Sequence, residues 1–174
     1  MLGYVGAGKS YVSRWLVPHM NAVYLRVDEL RLAMFGADRK ELYTPQNKAL
    51  VNGASRYAMM QILKSGQANI VHDANHNSAR MRHNIAYLAK QTGATAITVW
   101  IKTPVAVAKD RAEVRTVTEG HQLFEENLVE KMAKRLEEPR DTELVIEIDG
   151  QASAAEQQAQ FDRQFAEIKK SRAK

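Results

Sequence analysis

The chain is expected to fold as one α/β domain, a mostly parallel five-stranded sheet in three layers with helices on both faces. Two observations carry that expectation. Short β-branched runs alternate along the chain with segments of helical spacing, the pattern of strands joined by crossover helices. A glycine-rich turn over residues 3–10 leads directly into the first helical segment. At 174 residues, 45% hydrophobic and 26% charged, the chain can bury a full core without staples. No linker, repeat or low-complexity block divides it.

The elements follow in order. Val12, Trp15 and Leu16 recur at helical spacing, and Pro18 is expected to close that helix. Residues 22–27 read as a strand. Thr44-Pro45 is an N-cap and N1 pair. The helix behind it is expected to bury Leu50, Ala54, Tyr57, Ala58 and Ile62 and to stop near Gly66. Residues 69–73 are the second strand. Ser78 caps a helix with Met81, Ile85, Leu88 and Ala89 inward, closed by Gly93. Residues 96–102 alternate as a strand, and Pro104 opens a helix reaching about Thr116. A polar stretch, residues 117–124, precedes a helix carrying Leu128, Met132 and Leu136. Residues 144–149 are the last strand. Phe161, Phe165 and Ile168 mark a C-terminal helix over about residues 152–172. Trp15 and Trp100 are expected in the core.

Composition excludes several chemistries. With no cysteine, the chain has no disulfide, thiolate zinc site, iron–sulfur cluster or cysteine nucleophile. A net charge of +5 suits anion binding but falls short of the basic stripe of a dedicated nucleic-acid binder. Lys169, Lys170, Arg172 and Lys174 supply part of that excess at a helix end, where the macrodipole favours them. The apolar runs are too short to span a bilayer, so no membrane association is expected. The first residues do not resemble a signal peptide, and a cytoplasmic location is expected.

Gly3-Tyr4-Val5-Gly6-Ala7-Gly8-Lys9-Ser10 matches G-x-x-x-x-G-K-[ST] at every fixed position. The glycines let successive backbone N–H groups curl around a phosphate, and the next helix points its positive end at the same charge. Lys9 can reach the β- and γ-phosphates of a nucleotide, and the Ser10 hydroxyl can ligate Mg²⁺. The expected nucleotide contacts are Gly3, Gly6, Ala7, Gly8, Lys9, Ser10 and Tyr11. Such a loop normally follows a buried strand of about five residues. Only Met1 and Leu2 precede Gly3, so the first strand is expected to be truncated and the natural chain to begin several apolar residues upstream.

The rest of the chain narrows the class. Guanine-reading N-K-x-D is absent, since Asn47-Lys48 continues as Ala49-Leu50. Asp73 can help hold the metal, but Ala74 and Asn75 follow it, and no adjacent carboxylate activates water. That favours transfer to a bound acceptor over hydrolysis. Asp28, expected at a strand's carboxyl end where open parallel sheets bind ligands, can take a proton from an acceptor hydroxyl. Arg31 can hold an anionic part of that acceptor. The plainer alternative makes Asp28 a helix N-cap and Arg31 a surface residue. Arg111 and Arg115 share a helix face before the polar stretch, the layout of a lid whose arginines neutralise a transferring phosphoryl group. Alternatively that face, with Asp110 and Glu113, is a salt-bridged surface. His72 and His76 straddle a strand end and lack H-E-x-x-H, so no zinc site is expected; His121 reads as a surface residue.

The order of these motifs is the phosphate loop, Asp28-x-x-Arg31, Asp73-x-Asn75 with Arg80, Arg111-x-x-x-Arg115, then Met132 through Glu138-Pro139. It resembles the P-loop kinases over residues 3–150. The closest branch is the polynucleotide-kinase-like and zeta-toxin-like small kinases, often described as AAA-family ATPases. The resemblance implies the P-loop nucleoside-triphosphate-hydrolase fold and ATP with Mg²⁺ as cofactors. It implies Asp28 as general base, Arg31 and Arg80 as acceptor-site residues, and Arg111 or Arg115 as the lid arginine over a lid of about residues 111–125. It also implies Asp73 and Asn75 near the metal and phosphates. The expected activity is γ-phosphoryl transfer from ATP to a hydroxyl of a small-molecule or nucleic-acid acceptor, with no obligate protein partner. An ATP-binding switch or scaffold without transfer is the alternative. A nucleic-acid module using the basic surface would lack the interleaved aromatics that stacking needs.

Overall fold

A computed structural model describes residues 1–36, 43–66, 69–119 and 127–172, with only the backbone at 115–119. The elements are α1 (Lys9–His19), β1 (Ala22–Arg26), α2 (Val27–Phe35), α3 (Pro45–Lys64), β2 (Asn69–Asp73), α4 (Ala79–Gln91), β3 (Thr98–Lys102), α5 (Val105–Glu119), α6 (Leu128–Arg135), β4 (Val145–Asp149) and α7 (Ala154–Arg172). The chain divides into two compact units. One comprises residues 1–12, 75–82 and 97–174, the other residues 13–74 and 83–96.

In the first unit β3 and β4 pair in parallel, Thr98 opposite Val145 and Lys102 opposite Asp149. Parallel neighbours require a crossover, supplied by α5 and α6. Leu2 forms a parallel bridge to Trp100, its N–H donating to the Val99 carbonyl and its carbonyl accepting from the Ile101 N–H. Leu2, Ile101, Ile146 and Ile148 are essentially inaccessible, so the sheet's apolar residues form this unit's core. Ala108, Ala112 and Val129 join α5 to α6 in a smaller cluster, with Tyr4 and Val5 packed against it.

In the second unit β1 and β2 pair in parallel, Ala22 opposite Asn69 and Arg26 opposite Asp73. Thr44 caps α3, its side chain accepting from the Asn47 N–H at 3.1 Å, as the Thr-Pro signature required. The buried face of α3 differs from expectation. Val51, Ser55 and Met59 are buried, while Leu50 is 57% and Tyr57 63% exposed. The reason is polar: the Ser55 hydroxyl bonds His72 Nε2 at 2.9 Å on β2, and a serine carries no weight in an apolar pattern.

Among the described residues the sheet content is therefore two parallel pairs and the Leu2 bridge, where five strands were expected. Trp15 and Trp100 are half-buried, not core, and the Lys102 ammonium sits 4.6 Å from the centre of the Trp100 ring. The start of the expected lid is helical, since α5 runs through Glu119. The remainder of that segment, with His121 and Phe124, lies outside the described residues, as does Lys174. Among the described residues no helix is long and apolar enough to cross a membrane.

Candidate functional site

The loop over residues 3–10 has the backbone its glycines predict. Gly3, Gly6 and Gly8 sit at φ of +140°, +77° and +103°, a region that side chains disfavour. At Gly6 a Cβ would also overlap the Ala108 carbonyl of α5. The Ala7 N–H donates to the Tyr4 carbonyl at 3.1 Å and closes the turn. Loop and sheet are then joined by buried hydrogen bonds. The Thr103 hydroxyl, just past β3, donates to the Ala7 carbonyl at 2.8 Å. The Tyr4 hydroxyl donates to the Thr103 carbonyl, and burial pushes that phenol's pKa up. The Gly3 N–H donates to Asn77 Oδ1 at 3.2 Å.

Helix α1 begins at Lys9, so its positive end opens from the loop as the motif requires. Lys9 Nζ donates to the carbonyls of Gly3 at 2.8 Å and Tyr4 at 2.9 Å, which holds the ammonium on the loop. Ser10 follows it on the first turn, and Tyr11 is half exposed. The arrangement fits an anion. The Ala108 carbonyl excludes a side chain at Gly6 and so lets the loop lie against α5, a helix start carries a positive end, and the Lys9 ammonium is held beside it.

In the second unit the carboxyl ends of β1 and β2 carry charge. Asp73 is buried and accepts from the Tyr24 hydroxyl at 2.9 Å, with Arg26 Nε 3.9 Å away. Burial and the Asp73 carboxylate push the Tyr24 phenol up to about 12. Asp28 lies on the first turn of α2, not at a strand end, because β1 stops at Arg26. Nor is it the N-cap: Arg26 holds that position, without a side-chain capping bond. The Asp28 carboxylate is 82% exposed and accepts from Arg31 at 2.6 Å. Arg31 is buried, not a surface residue, and its guanidinium lies 4.5 Å from the centre of the Tyr43 ring. Burial of the His72 imidazole lowers its pKa to about 3, so it faces Ser55 as a neutral ring.

The remaining expected residues spread over the first unit. Asn75 is exposed, and its Oδ1 accepts from the Asn77 N–H at 3.2 Å. Arg80 is exposed near the start of α4. Arg111 on α5 donates to the Gly150 carbonyl at 2.8 Å, immediately beyond β4. The Arg115 side chain lies outside the described residues. On the face between α5 and α6, Lys109 pairs with Glu130 at 2.9 Å. Sequence reasoning missed Asn77, Thr103, Tyr43 and the pair of buried Arg82 with half-buried Glu143. Thr103 alone had a local signal, a hydroxyl at the carboxyl end of an apolar strand.

Comparison with known proteins places this geometry. A family model described as an AAA domain matches residues 1–139. No curated protein matches the chain. Among solved structures, a gluconokinase from Sinorhizobium meliloti is 20% identical, with 96% of this chain and 90% of that chain covered and a TM-score of 0.66. A shikimate kinase from Acinetobacter baumannii, in complex with shikimate, is 22% identical, with 97% and 92% covered and a TM-score of 0.61. At these identities the likeness is one of fold, and it establishes the P-loop kinase-like α/β architecture.

Proposed function

The chain belongs to the AAA domain family, and from that membership we propose that residues 1–174 act as one ATP-dependent phosphotransferase domain with a hydroxyl acceptor. The observation that carries the reading is the ordered phosphate loop, with Lys9 at the head of α1 and side chains excluded at Gly6.

In this reaction the acceptor oxygen attacks the γ-phosphorus of ATP, the bond to the bridging β,γ-oxygen breaks, and ADP leaves. Lys9 exchanges the two loop carbonyls for phosphate oxygens and neutralises charge at the β/γ position. Backbone N–H groups of Gly6 to Ser10, with Tyr11 and Asn75 at the margins, hold the phosphates. Asp28 takes the acceptor's proton; its bond to Arg31 fixes the carboxylate, and the Tyr43 ring fixes Arg31. Arg31 and Arg80 hold the acceptor, and Arg111 or Arg115 neutralises charge on the moving phosphoryl group. Ser10 and Asp73 are hard oxygen donors of the kind that Mg²⁺ takes beside substrate phosphates. When bound, that ion supplies charge neutralisation at the phosphates.

The motif order supports the polynucleotide-kinase-like and zeta-toxin-like branch, while the gluconokinase and shikimate kinase likenesses support a small-molecule acceptor. A cytoplasmic location accords with a nucleotide substrate. The test is transfer from γ-labelled ATP to a broad panel of small-molecule and polynucleotide hydroxyls, with water as control. Label on an acceptor, above the rate of release to water, is the expected result. ATP binding without label transfer to any hydroxyl would replace the kinase by a nucleotide-binding switch.

A further inference from the structure

We propose that Asn77 is a positioning residue for the phosphate loop, itself set in place by the buried Arg82 and its half-buried partner Glu143. The proposal rests on the loop's role in binding ATP. Three contacts fix Asn77. Its Oδ1 accepts from the Gly3 N–H at 3.2 Å, its carbonyl accepts from the Glu137 N–H at 2.8 Å, and its own N–H donates to Asn75 Oδ1 at 3.2 Å. Gly3 is the last residue before the curl of the loop, and its carbonyl is one of the two that hold Lys9 Nζ. One amide oxygen therefore anchors the residue whose carbonyl, one peptide further along, helps hold the loop's cation.

Arg82 supports that oxygen from below. Its Nε and NH2 grip the two Glu143 oxygens at 2.6 and 3.0 Å, a fork-to-fork pair. Its other bonds go to backbone on both flanks of Asn77's partners: NH1 to the His76 carbonyl at 3.1 Å and NH2 to the Glu138 carbonyl at 3.2 Å. The residue before Asn77 and the residue after Glu137 are thus tied to one buried cation. Glu137 closes the ring, its Oε2 accepting from the Ala79 N–H at 2.9 Å.

Asn77 is a poor choice for stability alone. It is buried, and its Nδ2 is buried without a hydrogen-bond partner, an arrangement that costs free energy. What it uniquely supplies at that position is an acceptor oxygen of fixed reach for Gly3. That is the signature of a residue kept for geometry.

The test compares the parent chain with Asn77→Ala, Asn77→Asp and Glu143→Gln. Exchange of the Gly3 amide is read by NMR, ATP affinity by calorimetry, and KM for ATP and for acceptor by kinetics. In Asn77→Ala the Gly3 amide should exchange, and ATP affinity fall, by about tenfold, while KM for the acceptor holds. Asn77→Asp keeps an acceptor oxygen and should restore slow Gly3 exchange; a general loss of packing would not be rescued this way. Unchanged Gly3 exchange in Asn77→Ala overturns the proposal, as does faster exchange with undiminished ATP affinity. If Asn77→Ala does not fold, Glu143→Gln decides: faster Gly3 exchange supports the support chain, and parental exchange refutes it. A parent chain that binds no ATP would remove the proposed function, yet the Gly3 exchange series would still decide whether Asn77 holds the loop.

Discussion

The two parallel strand pairs are alike in length and differ in what the chain places at their carboxyl ends. Beyond β3 and β4 stand chiefly backbone groups and neutral side chains, namely the Thr103 hydroxyl, the Asn77 amide, the Gly150 carbonyl and three positive-φ glycines, with the Lys9 ammonium and the Arg111 guanidinium bonded to backbone carbonyls. Beyond β1 and β2 stand Arg26, Asp73, Asp28 and Arg31, with Tyr24 and Tyr43 against them. Physical chemistry assigns the two sets different work. Fixed dipoles hold an anion without changing charge themselves, so they suit a phosphate cradle. A carboxylate bonded to a guanidinium is held in one orientation, which is what the proposed base at Asp28 would need.

The contrast extends to how each pair treats polar groups. The outward backbone of β4 is met by glutamines of α7: Gln164 bonds both the N–H and the carbonyl of Glu147 at 2.9 and 2.8 Å. Gln160 takes the Asp149 N–H, and Gln157 donates to the Asp149 carbonyl, both at 2.9 Å. These side chains stand where a neighbouring strand would, a cover for an otherwise pairable edge. Behind β2 the polar partner is instead ionisable, the His72 ring against Ser55.

The largest effect is expected from Lys9→Ala, which removes the ammonium held on the loop carbonyls. Transfer should vanish and Mg·ATP affinity should collapse; equal affinity in mutant and parent, by calorimetry, would remove the phosphate-loop assignment. On the charged side, Asp28→Asn keeps shape and deletes the base. Turnover should fall by roughly 10²- to 10⁴-fold with ATP affinity held. Unchanged acceptor phosphorylation would leave Asp28 as a partner of Arg31 and nothing more.

Arg111→Ala asks whether the first unit also contributes charge to the reaction. Turnover should drop by about 10²-fold and ATP affinity by much less. A variant that loses only melting temperature would confine Arg111 to its bond with the Gly150 carbonyl.

Two smaller effects concern stability. Burial lowers the His72 pKa in the folded chain to about 3, against about 6.5 unfolded. Above pH ~6.5 both states hold the ring neutral and it adds no pH dependence. As pH falls from ~6.5 towards 3 the unfolded chain takes the proton and the folded chain does not, so stability is lost. The loss should reach about 2 kcal/mol at pH 5. Urea titrations at pH 7.5 and pH 5 check this, and His72→Gln should flatten the difference. Finally, Gln164→Ala should cost about 1 kcal/mol, since water can replace its bonds to the β4 backbone. A larger loss, or association of the variant into dimers by light scattering, would show that α7 chiefly shields that edge.

Much of this was legible in the residues because the causes are local. Three glycines and a following lysine dictate a loop that opens a helix, and the chain has that loop at that place. Thr44-Pro45 starts α3 because a hydroxyl and a fixed φ act within one turn. Strand positions followed from β-branched runs, each correct to within two residues.

What depended on neighbours distant in sequence was not legible. The buried face of α3 turned on Ser55 meeting His72, and an apolar pattern chose Leu50 and Tyr57 instead. Asp28 was expected at a strand's carboxyl end, with a helix cap as the alternative; β1 stops at Arg26, which itself takes the cap position. Asn77 and the Arg82–Glu143 pair carry no motif, because their roles exist only once segments 74 and 61 residues apart have met. Backbone preference over a few residues suffices to make the phosphate loop and the alternation of helix and strand, so both could be read along the chain. Which polar side chains hold that loop in place depends on segments that meet only on folding, since a hydrogen bond between distant residues leaves no periodicity to read.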